Sequence, residues 1–163
     1  MPEPPEETDT MRCAVAFVAG LFLSSAYAQD MGVVRKMSEN KFVAVPGLPA
    51  CLTSAVQSGD PSKGSSLLLF KGKAGCRVPW HWHTPTEHVM IVGGAIVFEM
   101  KDHKGSLKLG PGGYARMPSK HIHQFTCTSA CSGFVSSDAA FDIHYVDAAG
   151  KEMTPEAALA KRK

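Results

Sequence analysis

From Phe42 onward, apolar residues fall into short runs, each cut by Gly, Pro, Asp or Ser. Leu52–Gln57 is closed by the turn-forming stretch Ser58-Gly59-Asp60-Pro61-Ser62-Lys63-Gly64. Ser65–Lys71 alternates in part, Gly72–Gly75 interrupts it, and Val78–His83 resumes. His88–Val92 and Ala95–Met100 flank Gly93-Gly94, a pair that predicts a two-residue hairpin. Leu107–Leu109, Tyr114–Met117, Ile122–Thr128, Cys131–Ser137 and Phe141–Val146 complete the series, each near the length of an ordinary strand. Many short strands with turns between them predict an all-β domain, a closed sandwich or barrel. One helix is expected, over Pro155–Lys161, with Thr154 as N-cap and Pro155 at its first position.

The pattern before Gln29 is different. Met11-Arg12 precedes an apolar run from Cys13 to Leu23, and Ala26-Tyr27-Ala28 follows. A short positive segment, an apolar stretch and small residues at −3 and −1 are the parts of a secretory signal peptide. The run is too short to span a bilayer, which takes about 20 residues. Residues 1–28 are therefore expected to be removed on export to the periplasm or beyond the cell. The acidic decapeptide Met1–Thr10 is unusual upstream of such a signal, so translation is expected to start at Met11. Cys13 opens the apolar run and is not placed to carry a lipid after cleavage.

The 163 residues, 44% hydrophobic and 20% charged, fit one globular domain with one core. Of 17 basic and 15 acidic residues, processing would remove Arg12 and the acidic Glu3, Glu6, Glu7 and Asp9, leaving a net charge of +5. The basic residues are scattered, apart from Lys161-Arg162-Lys163, which reads as a solvated terminus. No nucleic-acid partner is inferred, and no membrane partner once the signal is gone. Cys51, Cys76, Cys127 and Cys131 would remain, an even number that favours disulfides in an exported chain. Three pairings are open, and buried thiols or a metal site are the alternatives.

The candidate chemistry begins at His81 and His83. Side chains at i and i+2 of a strand share a face, so both imidazoles can aim at one point. Glu87 follows a bend containing Pro85 that can return a carboxylate to that point. Clustered His and carboxylate are a typical metal ligand set.

Gly75, His81, Trp82, His83, Glu87 and Gly94 stand at the spacing of the first motif of the cupin superfamily. Gly112, Pro118 and His123 match its second motif, with Lys120 in place of the second Gly and Cys127 in place of Asn. Lys120 implies a turn that needs no glycine-only backbone angle. The chain resembles small exported single-domain bacterial cupins over about residues 50–147, also through Gly59–Gly64 and Met117–Phe125. That resemblance implies a double-sheet jelly roll, or double-stranded β-helix, with a metal inside one mouth held by His81, His83, Glu87 and His123. It divides the chain into signal peptide 1–28, N-terminal arm 29–49, cupin domain 50–147 and C-terminal tail 148–163.

Three nitrogens and one oxygen suit one divalent transition metal (Mn, Fe, Ni, Cu or Zn) and are too nitrogen-rich for Ca or Mg. Sites left open on the ion would admit a small-molecule ligand or substrate. Trp80, Trp82, Met90, Phe98, Met117 and Phe125 are candidate walls, each competing with plain core packing. His121, two residues before His123, is a candidate general base or outer donor to the site. His88 should face away from Glu87, His103 should be solvated and His144 structural.

Three functions stand open: a small-molecule metalloenzyme of dioxygenase, decarboxylase or isomerase type, a non-catalytic ligand-binding or sensing protein of the cell envelope, and a barrel that metal merely stabilises. A homodimer through outer strands is expected.

Overall fold

Residues 32–160 are described by the computed structural model, so the expected signal peptide lies outside the described residues. The chain divides after Val34, and the unit beginning at Arg35 carries the fold. It consists of a 3-10 turn at Met37–Glu39 followed by β1 Val43–Ala44, β2 Leu52–Gly59, β3 Ser66–Gly72, β4 Arg77–Trp82, β5 Glu87–Gly93 and β6 Ile96–Met100. There follow β7 Ser106–Leu109, β8 Tyr114–Met117, β9 His123–Cys127, β10 Cys131–Ser137, β11 His144–Val146, β12 Glu152–Met153 and helix α1 Pro155–Leu159.

The strands form two antiparallel six-stranded sheets, ordered β1-β2-β3-β10-β5-β8 and β12-β11-β4-β9-β6-β7. This is a double-sheet jelly roll with one short C-terminal helix. Alternation along β5 shows why the sheets face each other: Glu87, Val89 and Ile91 are buried, while Met90 and Val92 are exposed. Phe70, Val89 and Ile91 of the first sheet meet Val78, Ile96 and Phe98 of the second in one core. Each such side chain contributes roughly 1.5–3 kcal/mol when fully buried. The core lies between the sheets, and the apolar cavity described below opens within it.

Short elements beyond those expected complete the sheets. β1 pairs with β2 at an edge of the first sheet, and β12 pairs with β11 at an edge of the second. α1 begins at Pro155 as expected, with the Thr154 hydroxyl accepting the Ala157 N–H, and stops at Leu159. Phe141–Ile143, expected as strand, is irregular, and β11 starts at His144.

Gly93-Gly94 is not a hairpin turn. β5 and β6 belong to opposite sheets, so the link crosses between them. Gly94 has φ +70°, and a Cβ there would collide with the Ala130 carbonyl. Glycine is needed because this crossing runs against the Thr128–Ala130 turn, where Thr128 N–H donates to the Ala95 carbonyl at 2.9 Å.

Both pairs of cysteines are joined. Cys51–Cys76 ties the entry of β2 to the turn before β4, and Cys127–Cys131 joins the end of β9 to the start of β10.

Candidate metal centre

Four buried polar side chains meet at one end of the barrel, and each has a distinct structural reason for being there. His81 lies near the end of β4, directly opposite His123 at the start of β9. His83 follows the last residue of β4, two positions from His81, and Glu87 opens β5 after the Thr84–Thr86 bend. His81, His83, Glu87 and His123 are 2%, 3%, 8% and 1% exposed. Burying so many polar groups together is costly unless they find partners.

The imidazoles are partnered on one side only. The Nδ1 atom of His81 donates to the Pro79 carbonyl at 2.6 Å, that of His123 to the His121 carbonyl at 2.9 Å, and that of His83 to the Asp142 carbonyl. A carbonyl can only accept, so each Nδ1 carries a proton, and in the neutral ring the Nε2 lone pair is the free one. The Nε2 atoms of His83 and His123 are buried without any hydrogen-bond partner. Ligand atoms of His81, His83 and His123 all lie within 4.8 Å of one another. Glu87 stands beside them, with oxygens 3.6 Å from His83 Nε2 and 3.4 Å from His123 Nε2.

The electrostatics fit a cation. Burial, then the neighbouring His123 and His83, hold the His81 pKa well below its ordinary value, so its imidazole stays neutral. Burial pushes the Glu87 carboxyl up, but the imidazoles of His83 and His123 outweigh it and leave the pKa lowered. The result is an ionised carboxylate beside a neutral His81. A buried histidine triad of this kind could hold a metal.

Lys120 corrects an expectation drawn from the motif. Its φ is 61°, so the turn does require the left-handed backbone, and a lysine adopts it. The Lys120 N–H donates to the His83 carbonyl at 2.8 Å, tying this turn to the ligand-bearing bend.

A cavity runs inward from His81, His83 and Glu87. Its walls include Phe70, Val89, Ile96, Phe98, Phe125 and Phe141. Among the six candidate walls named from sequence, Phe98 and Phe125 line it. Trp80 and Trp82 do not: after the register shift between Val78 and His81 it is His81 that faces inward, and Trp82 stacks on His144 at 3.9 Å. Met90 is 40% exposed, and Met117 is buried in the core away from the cavity lining.

The structure places His121 with Nε2 3.0 Å from the Asp102 carboxylate and its ring 6.5 Å from that of His123, outside the cavity lining. Its contact with the site runs through its carbonyl. Phe141 and Asp142 escaped sequence reasoning. They stand 58 and 59 residues after His83, so no local spacing could have linked them to it.

No family model matches the chain, and no curated protein matches it. Among solved structures it is similar to the polyketide cyclase RemF from Streptomyces resistomycificus, with TM-score 0.63 and 18% identity over 72% of this chain and 87% of that one. It is also similar to a cupin-superfamily sugar phosphate isomerase from Silicibacter pomeroyi (TM-score 0.56, 18% identity, 73% and 90% covered). An RmlC-like cupin protein from Ralstonia eutropha gives a TM-score of 0.55 at 18% identity, covering 73% and 74%. The likeness is one of fold, and the fold is that of the cupins.

Proposed function

We propose that this chain of cupin fold is a small-molecule metalloenzyme, of dioxygenase, decarboxylase or isomerase type, whose His81, His83, Glu87 and His123 hold one divalent transition metal. The observation that carries the reading is the locking of three imidazoles by main-chain carbonyls, with their ligand atoms gathered together and the Nε2 atoms of His83 and His123 beside Glu87. Mn, Fe, Ni, Cu and Zn all accept such a donor set. When bound, the ion supplies Lewis acidity or redox chemistry, according to its identity.

The chain's own residues would do the rest. Apolar and aromatic walls exclude water, which strengthens electrostatic interactions within the site. Among the described residues lining the cavity, Glu87 is the one acidic group, and none is Lys or Arg. Apart from the ion itself, a charged substrate would find no side-chain counter-ion there. A compact ligand with an apolar or aromatic body and one or two oxygen donors fits better. The neighbours named above as a cyclase and an isomerase are consistent with small-molecule chemistry on this fold. His121 would act through its carbonyl, fixing the tautomer of His123.

One observation favours a second reading, a non-catalytic ligand-binding or sensing protein. Among the described residues, the titratable groups lining the cavity are His81, His83 and Glu87, all assigned to the ion, so none of the described residues there supplies a further acid or base to a ligand. Metal-loaded protein incubated with phenols, diketones, oxalate and sugars separates the readings. Metal-dependent conversion supports the enzyme, and saturable binding without conversion supports the ligand-binding protein.

Export of the mature chain to the periplasm or the exterior is part of the proposal. Two disulfides, which persist in oxidising compartments, support it.

A further inference from the structure

The irregular segment between β10 and β11 touches the ligand-bearing bend at several points. The Asp138 carboxylate accepts the Thr86 N–H at 3.0 Å, and the Asp142 carboxylate accepts the Thr84 N–H at 2.7 Å. The Asp142 carbonyl accepts from His83 Nδ1. Phe141 N–H donates to the Pro61 carbonyl at 2.8 Å, which pins the segment from its other side. Asp142 thus grips two consecutive residues, the imidazole of His83 with its main chain and the amide of Thr84 with its side chain.

We infer that Asp142 is a positioning residue for the metal centre, setting the tautomer and direction of His83 through a two-point hold on the bend. This rests on the proposed metal site. Unlike His81 and His123, which lie within strands, His83 sits just beyond the end of β4. The carbonyls that hold His81 and His123 are two residues away in sequence, whereas that of Asp142 is 59 residues away. Without the Asp142–Thr84 bond, the Asp142 carbonyl is kept over His83 Nδ1 only by the Phe141 and Asp138 contacts and by the pairing of His144 with Trp82. Loss of an outer partner to a metal-bound histidine typically weakens metal binding by about 10–100-fold. The remaining contacts place Asp142→Ala at the lower end of that range.

The other partner of Asp142 supplies the control. Its Oδ2 lies 3.4 Å from His144 Nε2, so Asp142→Ala also removes that pair. His144→Ala removes that pair, together with the Trp82 stack and the Glu152 contact, and leaves the Thr84 bond.

The test is Co(II) binding to the full chain, read as affinity and as the visible d–d spectrum, for wild type, Asp142→Ala, Asp142→Asn and His144→Ala. The expected result is roughly tenfold weaker binding and an altered spectrum for Asp142→Ala. Asp142→Asn keeps an acceptor oxygen for Thr84 and should restore both, and His144→Ala should resemble wild type. Unchanged affinity and spectrum in Asp142→Ala, or an equal loss in His144→Ala, would overturn the assignment of Asp142 while leaving the metal site intact. Wild-type protein that binds no Co(II) would instead overturn the metal site itself. Should Asp142→Ala fold poorly, Asp142→Glu, which displaces the carboxylate by one methylene, should show the same spectral change in a folded protein.

Discussion

His81 and His123 are direct partners across the β4–β9 ladder, and their ring centroids lie 4.2 Å apart. Strand pairing alone sets this distance, 42 residues apart in sequence. His83 and Glu87 are then added by the bend that leaves β4 and enters β5. The site is therefore prepared by the sheet framework before any ligand arrives, at the cost of burying lone pairs with no partner.

That cost predicts a large thermal response to metal. At a metal concentration a hundredfold above its dissociation constant, stabilisation is about 2.7 kcal/mol. For a domain of this size the melting temperature should rise by roughly 10 °C. Calorimetry of chelator-treated and Zn(II)-loaded protein checks it, and an unchanged melting temperature would count against a site formed by these residues.

Metal-free protein should lose stability on mild acidification. The folded-state pKa of His81 is depressed, so the unfolded chain binds a proton that the folded one resists. Stability is then full above the unfolded value of about 6.5 and declines as pH falls through it toward the lower folded value. The lowered pKa of Glu87 acts in the same direction at more acidic pH. Melting temperatures of chelator-treated protein between pH 8 and 5 should fall, and the slope should shrink in His81→Ala. A melting temperature that rises toward acid would contradict the burial argument.

Phe141 lines the cavity and packs its ring 4.8 Å from that of His83, so it should limit the bulk of a ligand reaching the ion. Phe141→Ala is expected to tighten binding of a naphthyl hydroxamate to Co(II)-loaded protein by about tenfold, roughly 1.4 kcal/mol. Acetohydroxamate should bind almost as it does to wild type. Equal changes for both compounds would show that Phe141 does not select by size.

Much of this site was legible because strands obey a period of two. His81 and His83 had to share a face, although sequence alone could not say that Trp80 and Trp82 would both leave the cavity. Glu87 and His123 became legible through motif spacing. Gly93-Gly94 misled, since a two-glycine link serves a hairpin and a sheet-to-sheet crossing alike; the deciding contact, with Ala130, is tertiary. The partners of His83 at Phe141 and Asp142 were invisible for the same reason. They come from an irregular segment that has no period to read.

Lys120 was misjudged because a residue's identity does not forbid the left-handed region, it only makes it costly. Holding a non-glycine residue there costs on the order of 1–3 kcal/mol. Glycine would relieve that strain but loses more backbone entropy on folding, by about 0.5–1 kcal/mol. Lys120→Gly should therefore leave chemical-denaturation stability unchanged or raise it by up to about 2 kcal/mol. A clear loss would mean that the Lys120 ammonium, 5.8 Å from the centre of the Trp82 ring, contributes more than the backbone strain takes away.

Equilibrium dialysis of the protein against Co(II) and Zn(II), with bound metal counted per chain, for wild type and His123→Ala, asks whether these side chains hold an ion. Wild type should bind one equivalent, and His123→Ala should bind at least about a hundredfold more weakly, beyond the range for loss of an outer partner. A folded wild-type protein that retains no transition metal, or a His123→Ala variant that retains it equally well, would show that these four side chains do not form a metal site.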